Sequence, residues 1–178
     1  MKNLVLNGSP RLNGNTKAAV TAFCKDVPDV KLIDAVKLKL SGCLACDKCR
    51  DNNNRCVIKD DTADVIEDLF NAENIVFASP VYCWGVSSQL KQIIDKIYSK
   101  DTVIRHTNKR IGLILAGGAN TKDPQYETIA SQFEQMCEYF GWELCFKRFY
   151  CAGDPGDMKE KDLEELSALG REFWRFTK

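Results

Sequence analysis

Two stretches of this chain set polar or reactive side chains at spacings that point to bound ligands. The first runs Asn7-Gly8-Ser9-Pro10-Arg11-Leu12-Asn13-Gly14-Asn15-Thr16. It follows the apolar run Leu4-Val5-Leu6 and precedes Ala18-Ala19-Val20 and Phe23-Cys24, so it reads as a loop joining a strand to a helix. Such a loop delivers backbone N–H groups to a helix N-terminus, where unpaired amides and the helix dipole favour an anion. Ser9 and Thr16 add hydroxyls, Arg11 adds a fixed charge, and Gly8 and Gly14 allow tight turns. The second stretch is Cys43, Cys46, Cys49 and Cys56, spaced C-x2-C-x2-C-x6-C. Four thiolates so close in sequence can surround one small soft centre.

The anion is narrowed by two patterns that fail. A P-loop ends in Gly-Lys-Ser/Thr, but here that place holds Gly14-Asn15-Thr16, and Gly8 to Gly14 is one residue too long. The missing lysine argues against a triphosphate. The dinucleotide fingerprint needs three glycines, and this loop has two, although Asp34 stands 20 residues beyond Gly14, where that fingerprint wants an acid. A terminal monophosphate held by hydroxyls, amides and one arginine fits better. An ordinary turn before a Thr-capped helix is the plainer alternative, but it needs fewer small polar residues.

The cysteines leave three readings open. The run of x2 spacings suits a [4Fe–4S] cubane. Zinc also takes four cysteines, more usually as two separated pairs. The third reading is four reduced thiols with nothing bound. The chain has nine cysteines and no secretory pattern, which disfavours a disulfide framework. Cys24 and Cys137 fall on apolar helix faces and read as core, and Cys83 lies in a loop discussed below. The one histidine, His106, sits in the polar Arg105-His106-Thr107-Asn108 and reads as a solvated loop residue.

The elements that must position these residues alternate. Strand patterns occur at Leu4–Leu6, Val30–Asp34, Ile75–Ala78, Ile111–Ala116 and Trp142–Tyr150, the last alternating enough for an edge. Helical spacing appears through Val65, Ile66, Leu69 and Phe70, through Leu90 to Ile97, through Ile129 to Phe140 with Gly141 as C-cap, and through Leu163 to Phe173. Five strands alternating with helices predict an α/β, doubly wound, five-stranded parallel sheet with helices on both faces, as one domain over residues 1–178 with a cysteine-rich insert at 42–60 after the second strand. Ligands bind beyond the carboxyl ends of such strands. Three loops fall there: Gly8–Asn15, Pro80–Ser87 and Gly117–Asp123. The first would hold the phosphate. The second, Pro80-Val81-Tyr82-Cys83-Trp84-Gly85, offers aromatic rings to a flat ligand and a glycine for close approach. The third offers the Gly117 and Gly118 amides, or is a plain turn. A monophosphate with a flat polar ring points to FMN.

Composition excludes other classes. Lys+Arg and Asp+Glu are equal at 25 each, so no excess positive charge recommends nucleic acid or a polybasic membrane contact. The most apolar run, Ile75 to Val86, is interrupted by Ser79-Pro80 and is too short to span a bilayer. A cytoplasmic location is the expectation.

The three motifs in order resemble the NADPH-dependent FMN reductase family, and within it the iron–sulfur flavoproteins. They are Asn7-Gly8-Ser9-Pro10-Arg11 with Gly14-Asn15-Thr16, then the cysteine run ending Cys56-Val57-Ile58-Lys59-Asp60-Asp61, then Ser79-Pro80-Val81-Tyr82 with Leu90-Lys91 and Asp95. The resemblance implies a flavodoxin-like fold and bound FMN. It implies that Ser9, Arg11, Asn15 and Thr16 hold the phosphate, with Asn13 also binding the cofactor, that Pro80 through Gly85 line the flavin ring, and that Gly117 and Gly118 approach its polar edge. It supports a cluster on Cys43, Cys46, Cys49 and Cys56. It also implies a homodimer or homotetramer whose neighbouring subunits complete the flavin site. The expected activity is electron transfer from NAD(P)H through FMN to a small-molecule acceptor or, by way of a cluster, to a ferredoxin-like protein. The chemistry is the cofactor's, so no acid–base residue is expected to be indispensable. The alternative is a non-enzymatic flavodoxin-type carrier.

Overall fold

The computed structural model describes residues 2–174. In chain order the elements are β1 (Asn3–Asn7), α1 (Asn15–Phe23), β2 (Val30–Asp34), α2 (Thr62–Asn71), β3 (Asn74–Tyr82), β4 (Gly85–Val86), α3 (Ser88–Lys96), α4 (Asp101–Ile104), β5 (Arg110–Gly117), α5 (Pro124–Phe140), β6 (Glu143–Cys151) and α6 (Glu160–Trp174). Short 3-10 turns at Ala35–Lys37 and Ile97–Lys100 complete the set. Five strands pair in parallel in the order β2-β1-β3-β5-β6. This is the expected doubly wound sheet with β6 at one edge, and the chain reverses its winding between β1 and β3.

The strands read as unbroken apolar runs because both faces are covered. Along β1, Leu4 and Leu6 face one way and join a core with Ile75, Phe77, Leu113 and Leu115 under α2, α3 and α5. Val5 faces the other way, with Val76, Ala78, Ile114 and Ala116 under α1 and α6. Cys137 is buried in the first core and Cys24 packs against the second, and burial pushes their thiols up to about 12 and about 11. Both are inert packing groups, as the helical spacing suggested. His106 is exposed on its connection.

One boundary differs from the sequence reading. Ser79-Pro80 was expected to open a loop, yet β3 continues through Pro80 and Val81 to Tyr82. The pairing explains this. β1 ends at Asn7, opposite Ala78, whereas β5 stays paired to β3 through Ser79 and Pro80. Beyond Ala78 the strand has lost the β1 neighbour, so the amide that proline lacks leaves no gap there. The extension also creates a sixth strand, the two-residue β4, antiparallel to the end of β3.

α1 and α6 approach at backbone distance. A Cβ added to Gly170 would lie 1.9 Å from the Phe23 carbonyl oxygen. Alanine gains about 0.5–1 kcal/mol of helix propensity over glycine, but a backbone clash of this size outweighs it, because neither helix can yield without unpacking Phe23 and Phe173. Gly170→Ala is therefore expected to lower the unfolding free energy by about 1–3 kcal/mol in a urea titration. Unchanged or raised stability would show that the two helices are not in backbone contact.

Candidate functional site

The anion loop is built from the carboxyl end of β1 outward. Asn7 is fully buried, and its Nδ2 donates to Asp34 Oδ1 at 2.9 Å. The Asn7 side-chain oxygen accepts the Ser9 amide at 3.1 Å, which turns the chain away from the strand direction. Ser9 Oγ then accepts the Arg11 amide at 3.1 Å and donates back to the Arg11 carbonyl at 3.1 Å. The Gly14 amide closes the loop on the Arg11 carbonyl at 3.3 Å. α1 begins there with Gly14 at its N-cap, no side chain capping it and no acid in its first turn. α3 and α5, by contrast, are capped by Ser87 and Asp123. The first amides of α1 thus keep their need for an acceptor. Thr16 is buried beside them, and Arg11 is exposed, with no carboxylate paired to it among the described residues.

Asp34, which sat where a ribose-binding acid would stand, has another task. It takes Lys17 Nζ at 2.7 and 2.9 Å and Lys37 at 3.2 Å as well as Asn7. Burial pushes its carboxyl up, but the bonds from Lys17, Asn7 and Lys37 together outweigh burial and hold it below the usual range. It is the anchor of the loop rather than a ligand group.

The second loop is tied to the first. Ser87 Oγ donates to the Gly8 carbonyl at 2.6 Å, and the Ser87 amide donates to Ser79 Oγ at 2.9 Å. Val81 and Tyr82 pair with Val86 and Gly85, leaving Cys83 and Trp84 as a two-residue turn with φ of 46° and 58°. Two positive φ values mark a type I′ turn, whose usual residues are Asn and Gly, so Cys83 and Trp84 hold a strained conformation. Trp84 is 73% exposed at the tip and Tyr82 42% exposed. In the third loop Gly117 has no room for a side chain, since a Cβ would meet Tyr126 Oη at 3.0 Å and Val81 Cβ at 3.1 Å.

One cleft at the carboxyl edge gathers most of the expected residues. Ser9, Arg11, Asn15, Thr16, Pro80, Val81, Tyr82, Gly117 and Gly118 all line it. Asn13, Cys83, Trp84 and Gly85 do not; Asn13 is exposed on the outer loop, and the other three belong to the hairpin turn that projects beyond the cleft. The sequence reading missed a fourth wall, Ala152 and Gly153 after β6. Asn15 holds that wall in place. Its Nδ2 donates to the Ala152 and Asp154 carbonyls at 3.0 and 2.7 Å, and its Oδ1 accepts the Gly156 amide at 3.1 Å. The Asn15 side chain is thereby fully engaged, and only its backbone is free to face an anion. The asparagine at the start of α1 was the available signal for this wall, but nothing in the sequence paired it with residues 137 positions or more away. A larger groove at the opposite end of the sheet, around Lys2, Val30 and Trp174, presents no comparable convergence of loops.

The cysteine run forms a separate feature between β2 and α2. Cys43, Cys46, Cys49 and Cys56 all line one hollow, with Leu44, Val57, Lys96 and Tyr98 around them. All four are free thiols, and Cys49 and Cys56 are half-buried. Burial first, and then the nearby Cys56 sulfur, raise the Cys49 thiol. Among the described residues, no three His, Cys, Asp or Glu side chains converge closely enough to hold a single metal ion. No helix there is long and apolar enough to cross a membrane.

A doubly wound sheet with an uncapped helix N-terminus and three loops at its switch point defines a flavodoxin-like nucleotide-binding protein. The chain belongs to the NADPH-dependent FMN reductase family, whose model matches residues 1–135. It is 32% identical over 192 aligned positions to an iron–sulfur flavoprotein of Methanocaldococcus jannaschii, covering 96% of this chain and 94% of that one. Among solved structures its fold is similar to the Trp repressor binding protein of Bacillus subtilis, with TM-score 0.72, 23% identity, and 94% and 98% of the two chains covered. It is also similar to an FMN-dependent NADH-azoreductase of Bacillus anthracis in complex with FMN, with TM-score 0.67, 14% identity, and 97% and 99% covered. By family the protein is an FMN-dependent NAD(P)H oxidoreductase.

The Asp34 anchor is testable by its charge. A carboxyl lowered on folding contributes stability that is present above its unfolded value, near 3.9, and is lost as pH falls below it. Asp34→Asn is expected to cost about 1–3 kcal/mol at pH 7, the scale of a lost bond to a charged group, and less at pH 3, read by urea unfolding at both values. An equal loss at the two pH values would remove the charge from the explanation.

Proposed function

We propose that the first amides of α1, Arg11 and the Thr16 hydroxyl hold the phosphate of FMN, with the flavin ring laid across the cleft between Tyr82 and the Gly117–Gly118 backbone. The observation that carries this reading is the α1 N-terminus, which opens into the cleft with neither a capping side chain nor an acid in its first turn. Arg11 adds the fixed charge, and a charge-assisted contact to phosphate is about twice as strong as a neutral one. Ser9 contributes mainly by shaping the turn, since its hydroxyl already exchanges bonds with Arg11. Asn15 contributes through its backbone and through the Ala152–Gly153 wall. Gly117 permits the close backbone approach that a ring edge requires. When bound, FMN supplies the chemistry of accepting a hydride and releasing electrons singly.

For the cysteine run the donor set and its arrangement favour an iron–sulfur cluster. Four free thiols line one hollow, in a run of x2 spacings rather than the two separated pairs more usual for zinc. A cubane takes ligands that are all sulfur and closely spaced in sequence, as these are. Cys43, Cys46, Cys49 and Cys56 would be its ligands. Electrons arriving from NAD(P)H through FMN would then leave toward a ferredoxin-like partner, and without a cluster toward quinones, nitro compounds or free flavin. The exposed Tyr82–Trp84 hairpin beside the cleft suits a neighbouring subunit that completes the site in a homodimer or homotetramer. The whole chain, residues 1–178, would act as a single FMN-binding domain in the cytoplasm.

Arg11→Ala is expected to weaken FMN binding by about 1.5–3 kcal/mol, or roughly 10- to 150-fold, in a fluorescence titration of the apoprotein, with thermal stability little changed. Unchanged affinity would remove Arg11 from the phosphate site. The same purified protein is expected to oxidise NADPH or NADH in the presence of a quinone. Full FMN occupancy with no turnover on any acceptor would leave only the electron-carrier reading.

A further inference from the structure

The cysteine loop has no helix or strand of its own between the 3-10 turn ending at Lys37 and the start of α2 at Thr62. Four of its residues, Ala45, Asp47, Asn53 and Asn54, sit at φ between 48° and 56°, conformations that persist only when the surroundings enforce them. Its tip is exposed, so packing does not enforce them. Behind the loop, however, lies a side chain that the flavin chemistry leaves unexplained. Lys96, in the last turn of α3, is a cation only 1% exposed. Its Nζ donates to Asp60 Oδ2 at 2.6 Å, to Thr62 Oγ1 at 2.8 Å and to Ser41 Oγ at 3.3 Å. All three donors of the ammonium are thereby used. Ser41 Oγ in turn donates to Asp60 Oδ2 at 2.5 Å.

The partners lie on opposite sides of the thiols in sequence. Ser41 precedes Cys43 by two residues, and Asp60 follows Cys56 by four. A second pair closes the same neck: the Asp61 amide donates to the Lys39 carbonyl at 3.0 Å, and the Lys39 amide donates to Asp61 Oδ2 at 2.7 Å. Lys96 also lines the hollow into which the four cysteines face. We propose that Lys96 is the positioning residue of the cysteine loop, its buried ammonium clamping the entering and leaving chain at Ser41, Asp60 and Thr62 so that the four thiols keep facing one point. A buried ion pair is a poor device for stability alone, because apolar residues of similar volume commonly do as well. It is a good device for fixing one arrangement of a segment that lacks a core. A lysine reaching from α3, an element also packed against the sheet, gives the loop a rigid reference that the loop itself lacks.

What the thiols hold rests on the cluster reading above, so the test separates the two. Five proteins are compared, each kept with its FMN: wild type, Lys96→Met, Lys96→Arg, the milder Ser41→Ala, and Cys43→Ala as a control for iron. The first readout, on metal-free protein, is hydrogen exchange of the Arg50, Asn52 and Asp61 amides. The second, after anaerobic reconstitution with iron and sulfide, is iron per chain and the rate of iron release to a chelator. Expected for Lys96→Met are loop amides exchanging at least tenfold faster, FMN content unchanged, and iron release at least tenfold faster. Ser41→Ala is expected to shift in the same direction by a smaller factor, and Lys96→Arg to restore most of both properties. Loop exchange and iron release at wild-type rates in Lys96→Met and Ser41→Ala would overturn the clamp. A wild type that takes up no iron while Lys96→Met still loosens the loop would overturn the cluster and leave the clamp standing.

Discussion

The site depends on one point of contact, where the ends of β1 and β3 meet. The Gly8 amide donates to the Ala78 carbonyl at 2.8 Å, one residue past the last β1–β3 pair. A Cβ on Gly8 would lie 2.7 Å from both Leu90 Cβ and Ser87 Oγ, so no other residue fits without moving α3. The Ser87 hydroxyl caps α3 and donates to the Gly8 carbonyl at the same time. Strand end, Gly8–Asn15 loop and Pro80–Ser87 loop are therefore locked at one place. The α1 N-terminus cannot drift from Tyr82 because both are fixed through Gly8.

Charge is distributed around that point with the same economy. Asp34, the acid bonded to Asn7 at the base of the loop, is already neutralised by Lys17 and Lys37. Arg11 lines the cleft, and among the described residues no carboxylate forms an ion pair with it. A phosphate arriving there meets an uncompensated cation and unpaired amides, and displaces no existing ion pair. The same logic recurs at the cysteine loop with opposite content. There the cation, Lys96, is fully paired and buried, and serves shape rather than attraction.

How much of this the sequence made legible follows from the range of the forces involved. The parallel sheet was readable because a strand covered on both faces must be apolar throughout, as Ile75–Ala78 and Ile111–Ala116 are. The anion loop was readable because its hydrogen bonds are local: Asn7 to Ser9, Ser9 to Arg11, Arg11 to Gly14. The end of β3 was misread because Pro80 forbids a strand only where a neighbour needs its amide, and whether β1 reaches that far is a tertiary matter. The partnership of the Asn15 side chain with residues 152–156 was not legible, because those residues lie far along the chain. The grip of Lys96 on both ends of the cysteine loop was invisible for the same reason. A lysine on a helix pattern reads as solvated until the loop it reaches is seen to fold over it.

The central claim is that the Gly8–Thr16 loop recognises a phosphate and thereby selects FMN. Paired titrations of the apoprotein with FMN and with riboflavin, which differ only by that phosphate, test it most directly. Several charged and backbone hydrogen bonds of about 1.5–3 kcal/mol each should make FMN at least ~100-fold tighter than riboflavin, with the gap narrowing as salt is raised. Equal affinity for the two flavins would contradict it.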